Sequence, residues 1–325
     1  MRKVLVTGGA GYVGAHCCKA IAARGFSPVV FDDLSTGHAE FVKWGPLVRG
    51  DIRDGAALAA ALAEHRPVAV MHFAALALVG QSVADPSPYW DVNVGGALRL
   101  LEAMRAHAVA ALVFSSTCAV YGAGDGAPLR EDADLRPINP YGASKLAAER
   151  MMDDFDHAYG LRSVRLRYFN AAGAAAANGL GEDRALETHL IPLVIDAARG
   201  RRAHIDVYGV DFPTPDGTAV RDYIHVEDLA NAHVLALEHL LAGRGTIALN
   251  LGTGRGASVR EVIAMVEKIS GLAAAAKDAP RRAGDPASLV AAPGRAREAL
   301  GWSAERSDLA TIVTDALAWR VARFG

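Results

Sequence analysis

The segment Val6-Thr7-Gly8-Gly9-Ala10-Gly11-Tyr12-Val13-Gly14 follows an apolar run and satisfies two glycine spacings at once, GxGxxG from Gly9 and GxxGxxG from Gly8. Glycines here permit a tight turn and a close approach of backbone to phosphate. A helix predicted to begin near Gly11 aims free N–H groups and its positive end at that anion. A bare strand-to-helix turn would use the same glycines. Asp32 separates the two readings: it closes the second predicted strand, where a carboxylate accepts both hydroxyls of an adenosine ribose and repels a 2′-phosphate. Asp33 adds to that bias, so the segment reads as a site for NAD rather than NADP. Asp51, in Gly50-Asp51-Ile52, closes the third strand, placed either to reach the adenine amine or to cap a helix over Gly55–His65.

Outward from this turn, Lys3–Thr7, Pro28–Asp32, Leu47–Asp51, Val68–Ala74, Ala111–Ser116 and Ser163–Asn170 read as buried strands, with helical patterns between them. That alternation implies a doubly wound α/β fold, a parallel Rossmann sheet with right-handed crossovers and helices on both faces. After Asn170 the texture changes to small and polar residues over Ala171–Gly181, a loop-like Tyr208–Thr218 and an Arg-rich Pro280–Pro286. Helical periodicity returns at Asp228–Leu241, Val259–Ile269 and Ser307–Phe324. The expected division is an NAD-binding domain over 1–170 and a smaller C-terminal α/β, mainly substrate-binding lobe over 171–325, with segments near 218–242 returning to the first domain.

Composition sets bounds. The 325 residues are 51% hydrophobic and 22% charged, ordinary soluble usage that excludes disordered, collagen-like and disulfide-stapled chains. With 34 Lys and Arg against 36 Asp and Glu, no broad basic surface is expected, hence no nucleic-acid or membrane partner. Cys17, Cys18 and Cys118 lack metal-ligand spacing and are odd in number, which fits a reducing compartment, and no apolar run is long enough for a membrane span. The chain is expected to be cytoplasmic and to need no metal.

Tyr141-Gly142-Ala143-Ser144-Lys145 opens a helix predicted to run to about Tyr159, so its phenol and ammonium share one face. A tyrosine with an ordinary pKa of about 10 must fall by about 3 to act as a base near pH 7, at a cost of about 4 kcal/mol. Lys145 and the positive ring of oxidised NAD are the expected sources. Thr117 falls at the carboxyl end of the fifth strand, the edge where open α/β sheets bind ligands, and becomes the hydroxyl partner.

These pieces, with Asp32-Asp33-Leu34-Ser35-Thr36-Gly37, His72-Phe73-Ala74-Ala75-Leu76, Arg167-Tyr168-Phe169-Asn170 and Val220-Arg221-Asp222-Tyr223-Ile224-His225-Val226, resemble the UDP-hexose 4-epimerases of the extended short-chain dehydrogenase/reductase family. The resemblance implies Tyr141 as base and acid, Lys145 as its tuner and nicotinamide-ribose ligand, and Thr117 as the hydroxyl that bonds the sugar O4. For the cofactor it implies Gly8, Gly11, Tyr12, Val13, Gly14, Asp32 through Gly37, Asp51, Ile52, Phe73, Ala74, Ala75, Asn93, Ser115 and Tyr168. For the substrate it implies Asn170, Arg221 and Arg282 at the pyrophosphate and Asp285 at the uridine ribose, joined by His189, Leu190, Val207, Tyr208, Tyr223 and Leu289. Small residues at the position of Leu289 go with acceptance of N-acetylated sugars and Tyr with their exclusion.

Two departures from the family pattern stand out. Ala77 occupies a position where a lysine often contacts the cofactor phosphates, which removes one charge-assisted bond. His189 stands where Asn is common. The expected chemistry is C4 inversion of a UDP-hexose through a transient 4-keto sugar. Dehydratase chemistry is disfavoured because Cys118-Ala119 replaces the Asp-Glu pair that performs elimination. Alternatives are epimerisation of UDP-xylose or UDP-glucuronate, and a non-catalytic NAD-binding regulator on the same fold. Helices over Tyr89–His107 and Tyr141–Tyr159 are those that pair across a two-fold axis in this family, so a homodimer is expected.

Overall fold

Strand residues alternate strictly between two apolar cores in the computed structural model, which describes residues 1–124, 126–282 and 285–325. Val4, Val6, Val30, Met71, Val113 and Leu166 point to one face, while Leu5, Val29, Phe31, Val70, Leu112 and Phe114 point to the other. The period of two that places neighbours on opposite faces, with apolar residues on both, produces a sheet buried on both sides.

That sheet has seven strands: β1 (Lys3–Thr7), β2 (Ser27–Asp32), β3 (Leu47–Arg49), β4 (Ala69–His72), β5 (Ala111–Thr117), β6 (Arg162–Tyr168) and β7 (Ile247–Leu251). Their spatial order is β7-β6-β5-β4-β1-β2-β3, and every neighbouring pair is parallel. The chain winds outward from β1 to β3, then crosses to β4 on the other side. A crevice therefore opens at the carboxyl ends of β1 and β4, the topological switch point where such sheets bind ligands. The doubly wound expectation holds.

Helices α1 (Tyr12–Ala23), α2 (Gly55–His65), α3 (Ala97–Ala106), α4 (Pro140–Tyr159) and α5 (Val226–Leu241) cover the faces. α1 and α5 pack together on the first core, and α2, α3 and α4 on the second. The helix expected over Tyr89–His107 widens into a π-type stretch over Trp90–Gly96 before α3 begins. Helices Leu190–Ala198, Val259–Ser270 and Leu309–Phe324 build a separate core from Ile191, Val194, Ile195, Val262, Val266, Ile312 and Val313. Among the described residues, three smaller sheets accompany the main one.

Several boundaries differ from the sequence reading. β4 stops at His72 because the amides of Phe73 and Ala74 both turn to the Thr7 carbonyl, at 2.8 and 3.1 Å. β6 ends at Tyr168, and Asn170 instead starts a short strand, Asn170–Ala172, paired with Tyr223–His225. β7 is absent from the sequence reading: Ile247–Leu251 is short and lies just beyond the segments near 218–242 expected to return to the first domain. Of the Pro280–Pro286 connection, Ala283 and Gly284 lie outside the described residues. Among the described residues no helix is long and apolar enough to cross a membrane.

Candidate active site

The crevice begins at the glycine turn. A Cβ on Gly14 would lie 2.2 Å from the Gly8 carbonyl oxygen, so only glycine lets α1 pass this close to the end of β1. Gly11 caps α1, no side chain bonds the first amides, and its first turn holds no acidic residue. The N–H groups there are left for an anion. Asp32 is fixed for an adjacent ligand: its two carboxylate oxygens accept the amides of Ala10 and Leu34, each at 2.9 Å. Burial pushes its carboxyl up while those two amides oppose the rise. Leu34 takes a left-handed φ of 63° to complete the loop, Ser35 N–H donates to Asp33, and Thr36 is exposed. An uncapped helix start beside a held carboxylate fits the phosphate and ribose ends of a dinucleotide.

Asp51 does not cap α2. Asp54 does, accepting from Ala56 and Ala57, because Asp51 is engaged by Arg53 at 2.6 Å. Ile52 is buried below the loop. Asn93, in the π-type stretch, clasps the segment after β4: its amide accepts from Leu76 N–H and donates to the Leu76 carbonyl and to Ser144. Ser144 in turn donates to the Tyr141 carbonyl at 2.8 Å.

Asn139 caps α4 by accepting from Gly142 N–H, with Pro140 in the first turn. A Cβ at Gly142 would fall 2.4 Å from the Ala119 carbonyl oxygen. Glycine in this motif therefore brings the helix against the end of β5, where the Thr117 side chain lies close enough to Tyr141 to act on its phenol. Burial nevertheless pushes the Tyr141 phenol up to about 12. The sequence reading asks Lys145 and the ring of bound NAD together to lower it; in the chain without cofactor, burial is the larger effect. Lys145 is itself buried, donates to the Ser115 carbonyl at 2.9 Å, lies over the Phe114 ring, and is pushed down to about 7 by desolvation, against the pull of Glu149. The Ser115 hydroxyl bonds Tyr168, whose phenol burial raises further. Phe73 stacks beside His233 at 4.8 Å between ring centres. The Cys118 thiol, pushed up to about 12 by burial, offers no acid or base.

On the other wall, three sequence candidates converge. Asp285 receives Arg221 at 3.3 Å and Arg282 at 2.9 Å, and Arg282 lies over the Tyr208 ring. Asn170 donates through its backbone and side-chain nitrogens to the Asp222 carbonyl, and Tyr223 pairs with Asn170. Leu289 lies opposite Arg221 in a short strand and packs with Cys118, Tyr121 and Phe169. Val207 is buried in the strand before Tyr208, and Leu190 packs into the second lobe's core. His189 faces Glu182 at 2.7 Å. Burial is the strongest single pull on the His189 imidazole and acts downward, but the charge and close contact of Glu182 together, helped by Glu187, hold it above its ordinary value.

Sequence reasoning missed the support beneath Lys145. Glu149 pairs with Arg167 through Nη2 at 2.5 Å and accepts from Ser116, while Arg167 donates to Tyr121, which donates to Asn250. The available signal was spacing: Tyr141, Lys145 and Glu149 recur every four residues on one helix face.

Comparisons with known proteins agree with this geometry. Residues 4–252 match the NAD dependent epimerase/dehydratase family. A UDP-glucose 4-epimerase of Rhizobium meliloti (strain 1021) is 52% identical over 320 residues, 98% of this chain and 97% of that protein. The crystal structure of UDP-glucose 4-epimerase from Brucella ovis in complex with NAD superposes with a TM-score of 0.95 at 51% identity, covering 98% of both chains. The Bifidobacterium longum UDP-glucose 4-epimerase in complex with NAD+ and UDP gives 0.93 at 38% identity, covering 99% of this chain and 98% of that one. With the glycine turn, Asp32 and the Thr117–Tyr141–Lys145 cluster at the switch point, the chain belongs to the NAD dependent epimerase/dehydratase family.

Proposed function

We propose that this chain inverts C4 of a UDP-hexose, interconverting UDP-glucose and UDP-galactose with NAD as resident cofactor. The observation that carries the reading is that Thr117, at the end of β5, is brought beside Tyr141, with Lys145 one turn along α4 and bonded to the Ser115 carbonyl. When bound, NAD supplies the hydride acceptor and donor for C4 and places a positive ring beside the phenol.

The residues of the chain do the rest. Tyr141 Oη takes the proton of the sugar 4-OH as the C4–H electron pair leaves, which yields a 4-keto sugar, and returns the proton when the hydride comes back to the opposite face. Thr117 holds O4 against Tyr141. Lys145 anchors the nicotinamide ribose and favours the phenolate over the phenol. Arg221, Arg282 and Asn170 grip the diphosphate and Asp285 the uridine ribose, so that the keto-sugar turns over while its anchor stays in place. The arginine pairs with Asp285 support this wall as a preassembled diphosphate and ribose site. On this reading residues 1–170 mainly bind NAD and 171–325 mainly the substrate.

A homodimer through the helices at Ser87–Ala106 and Pro140–Tyr159 is supported by exposed apolar side chains on or beside them, Val83, Trp90 and Tyr159. The three unpaired, buried cysteines support a cytoplasmic setting. The test is turnover: the purified protein converts UDP-galactose to UDP-glucose without net NADH. Stoichiometric NADH, or no conversion with added NAD, would refute the proposal.

A further inference from the structure

A segment that the glycine motif does not foretell roofs the cofactor turn. Tyr12, the first residue of α1, donates from its hydroxyl to the Gly173 carbonyl at 2.6 Å. His38, whose amide donates to the Ala10 carbonyl at 2.9 Å, meets the Asp183 carbonyl through Nε2 at 3.0 Å. Arg323 secures the same segment from outside, binding Asp183 and Glu40, each at 2.8 Å. The chain between Gly173 and Asp183 is thus seated on the turn from two sides, and Arg184 is the next residue.

Arg184 is held by one edge. Its Nε donates to Glu182 Oε1 at 2.6 Å. Glu182 is itself buried, and its backbone carbonyl accepts from the Trp319 indole at 2.8 Å. Hydrogen bonds among the described residues use neither terminal nitrogen of Arg184, so the outer edge of the guanidinium remains for a ligand. Its positive charge acts on three phenols of the cleft, opposing the rise that burial imposes on Tyr12, Tyr141 and Tyr168. At position 77, where the resemblance would place a lysine near the cofactor phosphates, this chain has an exposed alanine.

We propose that Arg184 supplies the cation for the dinucleotide pyrophosphate, from the roof of the turn, in place of the lysine that Ala77 lacks. The planar fork matches phosphate oxygens, and anchoring through Nε fixes its direction before the ligand arrives. The proposal rests on the NAD reading of the turn and not on the reaction performed there.

Its test is binding, read by calorimetry on the full-length, cofactor-stripped protein. Losing a charge-assisted bond, Arg184→Met is expected to weaken NAD and ADP-ribose by about 10- to 100-fold while leaving adenosine and UDP within about 2-fold. Adding Ala77→Lys to that variant is expected to restore most of the NAD affinity. Unchanged NAD affinity overturns the proposal. So does an equal loss on adenosine, which would mark a distorted turn, or a loss confined to UDP, which would place Arg184 on the substrate. A double variant that regains nothing overturns the substitution for the missing lysine. Since no turnover is read, a protein inactive on UDP-galactose would refute the epimerase reading alone.

Discussion

The Lys145 ammonium and the Ser115 carbonyl are joined by a 2.9 Å hydrogen bond inside the protein, a neutral partner that does not offset the loss of water. Burial leaves the group at about 7, below the value of about 10.4 in an unfolded chain. Between those values the unfolded chain binds more protons than the folded one, so the contribution of Lys145 makes stability rise with pH across that window. Urea unfolding of the cofactor-free wild type and of Lys145→Met, at pH 7 and at pH 10, isolates the group by difference. Relative to the variant, wild type should gain on the order of 3–5 kcal/mol over this interval. A pH-independent difference would show that Lys145 stays fully charged when buried.

Tyr141→Phe removes the proton acceptor and leaves the ring, the helix cap at Asn139 and the clasp through Ser144 in place. The expected loss is about 10²–10⁴ in kcat, the scale of general acid–base catalysis, with NAD affinity largely kept. Steady-state turnover of UDP-galactose alongside a cofactor titration checks it. Near-normal turnover would take the role of base away from Tyr141.

How much of this was legible beforehand depends on whether a residue's role is local or long-range. The glycine turn, Asp32 and Tyr141–Lys145 act through spacings of a few residues on one strand or helix, so the sequence displays them directly. β7 does not announce itself, because five residues, Ile247–Leu251, carry too short a pattern and pair with β6 across more than one intervening helix. The Glu149–Arg167 pair joins α4 to β6 and becomes visible only when the strands are set side by side. The upward push of burial on the Tyr141 phenol is hidden for a related reason: charges can be counted in a sequence, whereas burial cannot.

Glu149 and Arg167 give a prediction about the scaffold. Their side chains are 2% and 5% exposed, so Glu149→Gln strands a buried guanidinium without its counter-charge. Breaking one side of such a pair costs about 3–5 kcal/mol. Urea unfolding should show that loss at neutral pH, and because Glu149 also raises Lys145, the variant should hold its lysine less protonated than wild type. A change below about 1 kcal/mol would mean the pair is dispensable to the fold.

Leu289 bears on which sugars the site accepts. Its strand residue lies opposite Arg221, and its side chain is half-buried against Cys118, Tyr121 and Phe169, immediately beyond Thr117. On the proposed reading of the arginine wall as the diphosphate site, a side chain in that place lies between it and Thr117 and Tyr141, on the side where the substituent at the sugar's second carbon would pass during turnover. An N-acetyl group adds heavy atoms there, and overlap of that size costs about 1–3 kcal/mol. UDP-N-acetylglucosamine should therefore be a poor substrate of the wild type, and Leu289→Ser should raise its kcat/KM relative to UDP-glucose by about 10- to 100-fold. The measurement is kcat/KM for both substrates on both proteins. Equal values on the wild type, or an unchanged ratio in the variant, would show that the wall at Leu289 does not gate the second carbon.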